Sequence, residues 1–372
     1  MILKHLSLTN FKNIESCDLT FSDKLNCIIG NNGMGKTNLM DSIYYLSFTK
    51  SHLHVPDQMV IRKGETYAIL QGGYRVDEDE VAINIGITTE KPKVIKRNRK
   101  RYDRITDHIG QLPVVMIAPS DIDLIRGGSV ERRKFMNQLI SQESNPYLTS
   151  VMHYDKLLGQ RNALLKNKGF LDLPTLSILD HQMAGEAETI VRHRAEWTER
   201  MKPIFLSYYS YITESRDSVD IRYQPSLTTD HLPSAEDFME AWQATRQADL
   251  YMGYTTVGPH KDDLEMLLEE TLIRKIGSQG QCKSYMIALK FAQFKILSTL
   301  YPSNSPILLL DDVFDKLDEE RVDRIVHLVA GEDFGQIFMT DTNRKYLDQI
   351  IAQVPDTEYT IVRVEDGVST VL

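Results

Sequence analysis

Hydrophobic and polar residues alternate along 2–8 and 17–21, and an apolar run fills 24–29, the pattern of a small antiparallel sheet. Two more strand-like runs, 67–76 and 81–88, flank the acidic turn Asp77-Glu78-Asp79-Glu80, and a short buried strand follows at 114–118. From Ser120 the period changes to that of helices. Arg132-Arg133-Lys134 with Phe135, Leu139 and Ile140 predicts one helix and 147–166 a second. A third starts at Pro174 and carries Leu179, Met183, Ala187, Ile190, Trp197 and Met201 on one face; Pro203 is expected to kink or divide it before 208–213. A strand near 219–223 and a helix over 234–252 complete this arm. Alternation returns near Tyr254, with a hairpin-like pair at 264–268 and 271–276. A helix then runs to about Leu300, and an apolar strand occupies 306–310. A helix near 319–329, a strand at 336–339 and a final helix and hairpin close the chain.

Candidate chemistry sits where two of these elements end. After the run 24–29 comes Gly30-Asn31-Asn32-Gly33-Met34-Gly35-Lys36-Thr37, which fits G-x-x-x-x-G-K-[ST] at every fixed position and opens onto a helix with Leu39, Met40, Ile43 and Leu46. Glycines let successive N–H groups converge on phosphate oxygens, and the helix adds the positive end of its dipole. Lys36 is then expected to reach the β- and γ-phosphates of ATP, and Thr37 to ligate Mg²⁺. The run Ile307-Leu308-Leu309-Leu310-Asp311-Asp312 is a Walker B pattern, a buried strand ending in two carboxylates. Asp311 is the expected Mg²⁺ residue and Asp312 the group that orients or deprotonates the attacking water, with Lys36 as its catalytic partner.

These two motifs lie about 270 residues apart, far more than one crossover needs, yet their strands belong in one sheet. The economical arrangement is an α/β ATPase head, with a mixed sheet and an antiparallel N-terminal part, split by an inserted mainly helical arm. The expected domains are 1–120 (head, P-loop), 121–253 (arm) and 254–372 (head, Walker B). Gly277-Ser278-Gln279-Gly280-Gln281 precedes the helix that follows the arm, and Ser278, Gly280 and Gln281 form a second terminus suited to phosphate. One chain already has its P-loop, so this terminus is expected to face the γ-phosphate held by a second copy. Such composite sites, closed by two subunits around ATP, belong to ABC-type ATPases.

Bulk composition narrows the class. With 372 residues, 42% hydrophobic and 26% charged, the chain reads as a soluble two-domain protein. No apolar run approaches the ~18 residues of a membrane span, and the opening Met-Ile-Leu-Lys-His-Leu-Ser lacks a secretory apolar core, so a cytoplasmic protein without a membrane partner is expected. Cys17, Cys27 and Cys282 have neither metal-ligand spacing nor an even disulfide count. A net charge of −9 argues against a surface wrapped in nucleic acid but leaves room for a local basic patch. Residues 91–104 supply one, with eight lysines and arginines in fourteen positions. Lys96, Arg97, Arg99, Lys100 and Arg101 are its centre, read either as a solvated charged hairpin or as a contact to a DNA backbone. His260, after Gly258-Pro259, is either a functional imidazole or one that structures its loop.

Taken together, the chain resembles the RecF family of the ABC/SMC-like ATPase group over nearly its whole length. The motifs that carry the resemblance are Asn10-Phe11-Lys12-Asn13, the P-loop, Ala118-Pro119-Ser120-Asp121, Leu124-Ile125-Arg126-Gly127-Gly128 and Arg132-Arg133-Lys134-Phe135. Gln160-Arg161-Asn162, Val257-Gly258-Pro259-His260-Lys261-Asp262-Asp263, 277–281 and 308–318 complete the set. The resemblance implies a weak, DNA-dependent ATPase of DNA repair, recombination, replication and the SOS response. Such a protein dimerises on ATP, binds single-stranded, gapped or junction DNA, and helps load RecA with RecO and RecR. It also assigns Ser278 and Gly280 to a signature motif and Lys316-Leu317-Asp318 to a D-loop. Lys12 and Lys261 stand where arginine is usual, Asn137 replaces an acidic residue, and Cys282 a polar one. The strand after Walker B ends Met339-Thr340-Asp341-Thr342, with no histidine at the place where many ABC ATPases sense the γ-phosphate, which leaves Thr340 or Asp341 as candidate sensors. A transporter ATPase subunit would share these motifs but lacks such a helical insert, and a small-molecule phosphotransferase would leave 278–281 unexplained.

Overall fold

The computed structural model describes every residue except 168–171, 215–216, 302–303, 315–316, 332, 343–344 and 354–357, with backbone alone at 345–347 and 353. Lys316 of the expected D-loop lies outside the described residues. The chain forms two compact units. The head comprises Met1–Asp121, Tyr208–Glu214 and Gln279–Leu372, and the arm comprises Ile122–Ser207 and Ser215–Ser278.

The head begins with strands β1 (Ile2–Phe11), β2 (Ile14–Thr20) and β3 (Leu25–Ile29), then helix α1 (Lys36–Phe48), β4 (Tyr67–Val76), β5 (Asp79–Thr88), β6 (Val94–Arg97), β7 (Lys100–Arg101) and β8 (Val114–Ile117). The arm follows with α2 (Asp123–Arg126), α3 (Ser129–Glu143), α4 (Asn145–Lys166), α5 (Leu173–Thr213, counted with the head from Tyr208 on), β9 (Val219–Gln224), α6 (Ala235–Met252), β10 (Asp263–Leu268), β11 (Thr271–Leu272) and α7 (Ile273–Ile276). The head resumes with α8 (Gln279–Leu300), β12 (Ile307–Leu310), α9 (Glu319–Ala330), β13 (Ile337–Asp341), α10 (Lys345–Gln353), β14 (Tyr359–Glu365) and β15 (Val368–Val371).

Two six-stranded sheets build the head: an antiparallel one in the order β2-β1-β4-β5-β6-β7, and a mostly parallel one in the order β15-β14-β3-β13-β12-β8. Every residue of β3, β8, β12 and β13 is buried, as a parallel sheet covered on both faces requires. Helix α1 lies in the core shared by the sheets: Leu39, Met40 and Ile43 belong to one cluster with Leu6, Leu70 and Ile85 of the first sheet and Ile28, Val114 and Phe338 of the second. Gln336 adds a polar stitch, accepting from the Leu3 N–H at 2.7 Å and donating to the carbonyls of Leu3 and Ser22 at 2.8 Å.

In the arm, β11-β10-β9 form a three-stranded antiparallel sheet. The hairpin expected at 264–276 therefore pairs with β9, the strand read as part of the arm, and only Thr271–Leu272 of its second half is extended before α7 begins. Of the two expectations for Pro203, division of helix α5 is overturned. The helix runs unbroken for 41 residues through Pro203, whose ring removes one N–H donor without ending the helix.

Buried arginines organise the arm. Arg161 donates to Asp180 at 2.7 Å, Asp249 at 2.7 Å and the Thr255 hydroxyl at 2.9 Å, while Asn162 accepts from the Thr255 N–H at 2.8 Å. Arg194 donates to the Pro259 carbonyl at 2.7 Å and to Asp262 at 2.9 Å. Charges this deep stabilise nothing unless paired, so each guanidinium fixes the segments that surround it.

The loop 257–263 is one such segment. Gly258 sits at φ +140°, and a Cβ there would collide with the Tyr154 hydroxyl. His260 Nδ1 accepts from that hydroxyl at 2.8 Å, and Nε2 donates to the Thr255 carbonyl at 2.9 Å. Burial lowers the His260 pKa to about 4, so the imidazole is neutral and both nitrogens serve the loop, which favours the structuring role. A folded pKa of about 4 against the ordinary 6.5 means the unfolded chain binds the extra proton between those values. The arm is therefore expected to be fully stable above pH 6.5 and to weaken as pH falls toward 4. Chemical denaturation across that range should show the loss in the wild type and a shallower one in His260→Gln.

Candidate nucleotide-binding site

The loop between β3 and α1 holds its shape by backbone positions that exclude side chains. Gly30 has φ +155°, and a Cβ there would collide with the Val364 carbonyl; Gly35 has φ +114°, and its Cβ would lie 2.6 Å from Asn13 Nδ2. Asn13, in the turn between β1 and β2, donates to the Met34 carbonyl at 3.1 Å and accepts from Asn38 at 2.8 Å. The Gly367 N–H, from the turn between β14 and β15, donates to the same carbonyl at 3.0 Å. Two turns distant in sequence thus brace the loop from outside. Asn31, Asn32 and Gly33 are exposed, and α1 has no acidic residue in its first turn to compete for its dipole.

Lys36 is 4% exposed, and its ammonium donates to the carbonyls of Gly30 at 2.7 Å and Asn31 at 3.3 Å. Thr37 donates its hydroxyl to Asp311 Oδ2 at 2.8 Å, and Thr340 donates to Asp311 Oδ1 at 2.9 Å. The Asp312 N–H donates to the Thr340 hydroxyl at 2.9 Å, with Asp312 held at φ +45°. Sheet order explains the meeting: β13 lies between β3 and β12, so Thr340 stands beside the ends of both motif strands.

Burial raises the Asp311 pKa, partly offset by hydrogen bonds from Thr37 and Thr340, while the neighbouring Asp312 charge adds to the rise. Among the described residues no lysine, arginine or histidine forms an ion pair with Asp311, and no group of three or more His, Cys, Asp or Glu side chains is placed to hold a metal ion. A hydroxyl and one carboxylate beside a phosphate-binding loop suit Mg²⁺, which takes one or two protein ligands and completes its shell with phosphates and water. They do not suit zinc.

The second group of expected residues lies elsewhere in the fold. Ser278 is exposed and immediately precedes α8, whose first turn contains Gly280 and Gln281. A Cβ on Gly280 would come 2.8 Å from Arg321 Nη1 of α9. Helix α8 packs along β8, an edge strand separated from β3 by β12 and β13, through a Lys290 bond to the Met116 carbonyl at 3.0 Å. Three strand spacings put β8 roughly 14 Å from β3.

The basic stretch forms the edge hairpin β6–β7, with Lys96 opposite Arg101 and Arg97 opposite Lys100 across a turn where Asn98 and Arg99 both have positive φ. Lys96, Arg99, Lys100 and Arg101 are exposed; Arg97 is half-buried and donates to Gln111 at 2.9 Å. Lys93 turns inward to Asp57 at 2.9 Å, so it belongs to the fold.

A family model described as the RecF/RecN/SMC N terminal domain matches residues 2–370. The chain is 46% identical over 368 residues to the DNA replication and repair protein RecF of Porphyromonas gingivalis strain W83, covering 99% of both chains. The chain belongs to the RecF family. RecF of Parabacteroides distasonis is also 46% identical, over 99% of this chain and 98% of that protein. A solved structure of the recombination mediator protein RecF with ATP superposes with TM-score 0.89 at 28% identity, over the whole of this chain and 97% of that one. The Smc head from Pyrococcus furiosus, at TM-score 0.57 and 18% identity, shares the fold alone. The architecture is accordingly the RecF/SMC-type ABC ATPase head with mixed sheets and a helical insert.

Two departures from the RecF pattern have a physical account. Lys12 pairs with the buried Asp41 at 2.7 Å, a single ion pair that needs no forked guanidinium. Asn137 Oδ1 accepts from Tyr147 at 2.6 Å and Arg194 at 3.0 Å, doing as an amide what a carboxylate would do there. Cys282 is buried in α8, where a polar side chain would need a partner. Sequence reasoning assigns no role to Asn13, Val364 or Gly367 in shaping the loop; a collision with a distant turn has no local signal.

Proposed function

We propose that this chain is an ATP-dependent DNA-binding protein of recombinational repair and replication restart, a slow ATPase that uses nucleotide to pair two copies on DNA. The observation that carries this reading is the Thr37–Asp311–Thr340 arrangement at the mouth of a complete P-loop in a RecF-family chain. Gly30, Asn31, Asn32, Gly33, Met34 and Gly35 would cradle the phosphates of ATP through their N–H groups. Lys36 would exchange loop carbonyls for phosphate oxygens, a charge-assisted gain. Thr37 and Asp311 would hold Mg²⁺, which offsets phosphate charge when bound. Asp312, positioned by its backbone bond to Thr340, is the group to orient the attacking water. Thr340, already touching both aspartates, is better placed than Asp341 to report the γ-phosphate.

Ser278, Gly280 and Gln281 would face the nucleotide of the second copy, which accounts for a phosphate-type terminus on the helix of an edge strand. Solved relatives are described as recombination mediators of the RecFOR pathway. That kinship supports RecO- and RecR-type partners, help in loading RecA, gapped or junction DNA as ligand and a cytoplasmic setting. No described helix is long and apolar enough to cross a membrane. A transporter reading leaves the helical insert unexplained, and a phosphotransferase reading leaves the terminus at 278–281 unexplained.

Sedimentation with ATP and Mg²⁺ tests the pairing. Wild type should shift from monomer to dimer, Lys36→Ala should bind no nucleotide, and Ser278→Arg should bind nucleotide yet stay monomeric; a monomeric wild type with ATP, Mg²⁺ and gapped DNA would contradict the reading.

The hairpin is tested by salt. Reversing charge at Lys96, Arg99, Lys100 and Arg101 should flatten the dependence of log affinity on log salt by about 0.9 for each duplex phosphate the hairpin ceases to neutralise. An unchanged slope returns the hairpin to a solvated charged edge.

A further inference from the structure

A line of buried polar groups in the head connects the two helices that carry the expected halves of the nucleotide site. Asp41 lies one turn after Thr37 on α1 and is fully buried. One of its oxygens takes Lys12 at 2.7 Å and the Ser51 hydroxyl at 2.8 Å, and the other accepts from the His52 N–H at 2.6 Å. The His52 ring stands edge-on to Tyr44 of α1 at 5.0 Å, and its Nε2 faces Asp121 Oδ1 at 3.5 Å. That same Asp121 oxygen pairs with Lys290 Nζ of α8 at 2.9 Å, while the other accepts from the Ala118 N–H at 2.8 Å. His52 Nδ1 is buried with no hydrogen-bond partner, so the polar contact of the imidazole in this line is the one its Nε2 makes to Asp121.

The end of this line away from α1 sits beside two chain crossings. Asp121 is the last residue of the head before the arm begins, and α8 opens at Gln279, where the chain returns from the arm. Lys290 stands eleven residues into α8, roughly 16 Å from its start at 1.5 Å per residue. A helix this long moves as a rod, so a bond at Lys290 sets where its first turn stands. Burial by itself would raise the Asp121 pKa, and the neighbouring Lys290 ammonium and His52 ring hold it well below the usual carboxylate range instead.

We propose that Asp121 and Lys290 are positioning residues that fix the signature helix α8 relative to the nucleotide-loop helix α1, and so set the geometry in which two heads close on ATP. This inference rests on the nucleotide-driven pairing proposed above. Neither residue touches nucleotide. Their effect is on closure: Asp121→Asn leaves Lys290 its bond to the Met116 carbonyl of β8 but no partner carboxylate, Lys290→Met removes both contacts, and in either case α8 shifts against α1 and presents Ser278 and Gly280 out of place to the second copy.

The test compares Asp121→Asn and Lys290→Met with wild type in full-length protein, measuring affinity for a fluorescent ATP analogue and, separately, the ATP-dependent dimer constant by sedimentation. Each variant is expected to bind nucleotide within about twofold of wild type and to dimerise at least tenfold more weakly. The double variant should be no weaker than the weaker single, as residues acting as one unit require. Unchanged dimerisation in a folded variant overturns the inference while leaving the pairing intact. So does a parallel loss of nucleotide affinity and melting temperature, the mark of a merely structural pair. If Asp121→Asn does not fold, Lys290→Met decides alone. A wild type that never dimerises on ATP overturns both.

Discussion

Asp311 is a carboxylate buried at the end of a buried strand, and its solvation is supplied by two threonine hydroxyls from different elements. Thr37 comes from the first turn of α1 and Thr340 from the strand that separates β3 from β12. An ionised carboxylate so placed is costly unless hydrogen-bonded or paired with a cation. The head meets the first condition by itself, and the hydrogen bonds together with the Lys36 charge offset burial only in part, so the pKa stays raised. A site that binds protons more tightly than ordinary aspartate is one that gains by receiving a divalent ion. That constraint also joins the chain: residues 274 positions apart must meet for the Thr37 hydroxyl to reach Asp311.

The split head follows from the same requirement. Strand β3 leads into the loop and β12 into the paired aspartates, and β13 must lie between them for Thr340 to serve both. Everything from Ile122 to Ser278, apart from Tyr208–Glu214, is accommodated as a second compact unit. That unit has its own polar centres. Arg161 and Arg194 each gather segments distant in sequence around one guanidinium, and their loss would strand buried carboxylates. Charge in both units therefore specifies which segments meet, while the apolar clusters supply the bulk of the burial.

Much of this architecture is legible in the residue pattern alone. Fixed spacing in Gly30 to Thr37 and the apolar run before Asp311 point to the two motif strands because nucleotide chemistry leaves few alternatives there. The strand-to-helix change of period near Ser120 locates the start of the insert. Three features are not legible, for physical reasons. The pairing of β10 with β9 depends on a register partner some forty residues away, which local alternation cannot name. The continuity of α5 through Pro203 depends on packing that outweighs one lost hydrogen bond. The role of His260 depends on Tyr154 and Thr255 placing a donor and an acceptor on its two nitrogens. Lys93, counted in the basic stretch, spends its charge on Asp57, whereas Lys96 and Arg101 keep theirs at the surface.

On the function proposed above, the P-loop is one half of a site whose other half, at the start of α8, belongs to a second subunit. Mixing two inactive variants tests that claim most directly. In a heterodimer of Lys36→Met and Ser278→Arg subunits, one composite site carries both defects and the other carries neither. ATPase activity of the mixture, measured on DNA with each variant inactive alone, should rise to a fraction of wild type set by the heterodimer population. A mixture as inactive as its two components would mean that each chain completes its own site, and the composite arrangement would be wrong.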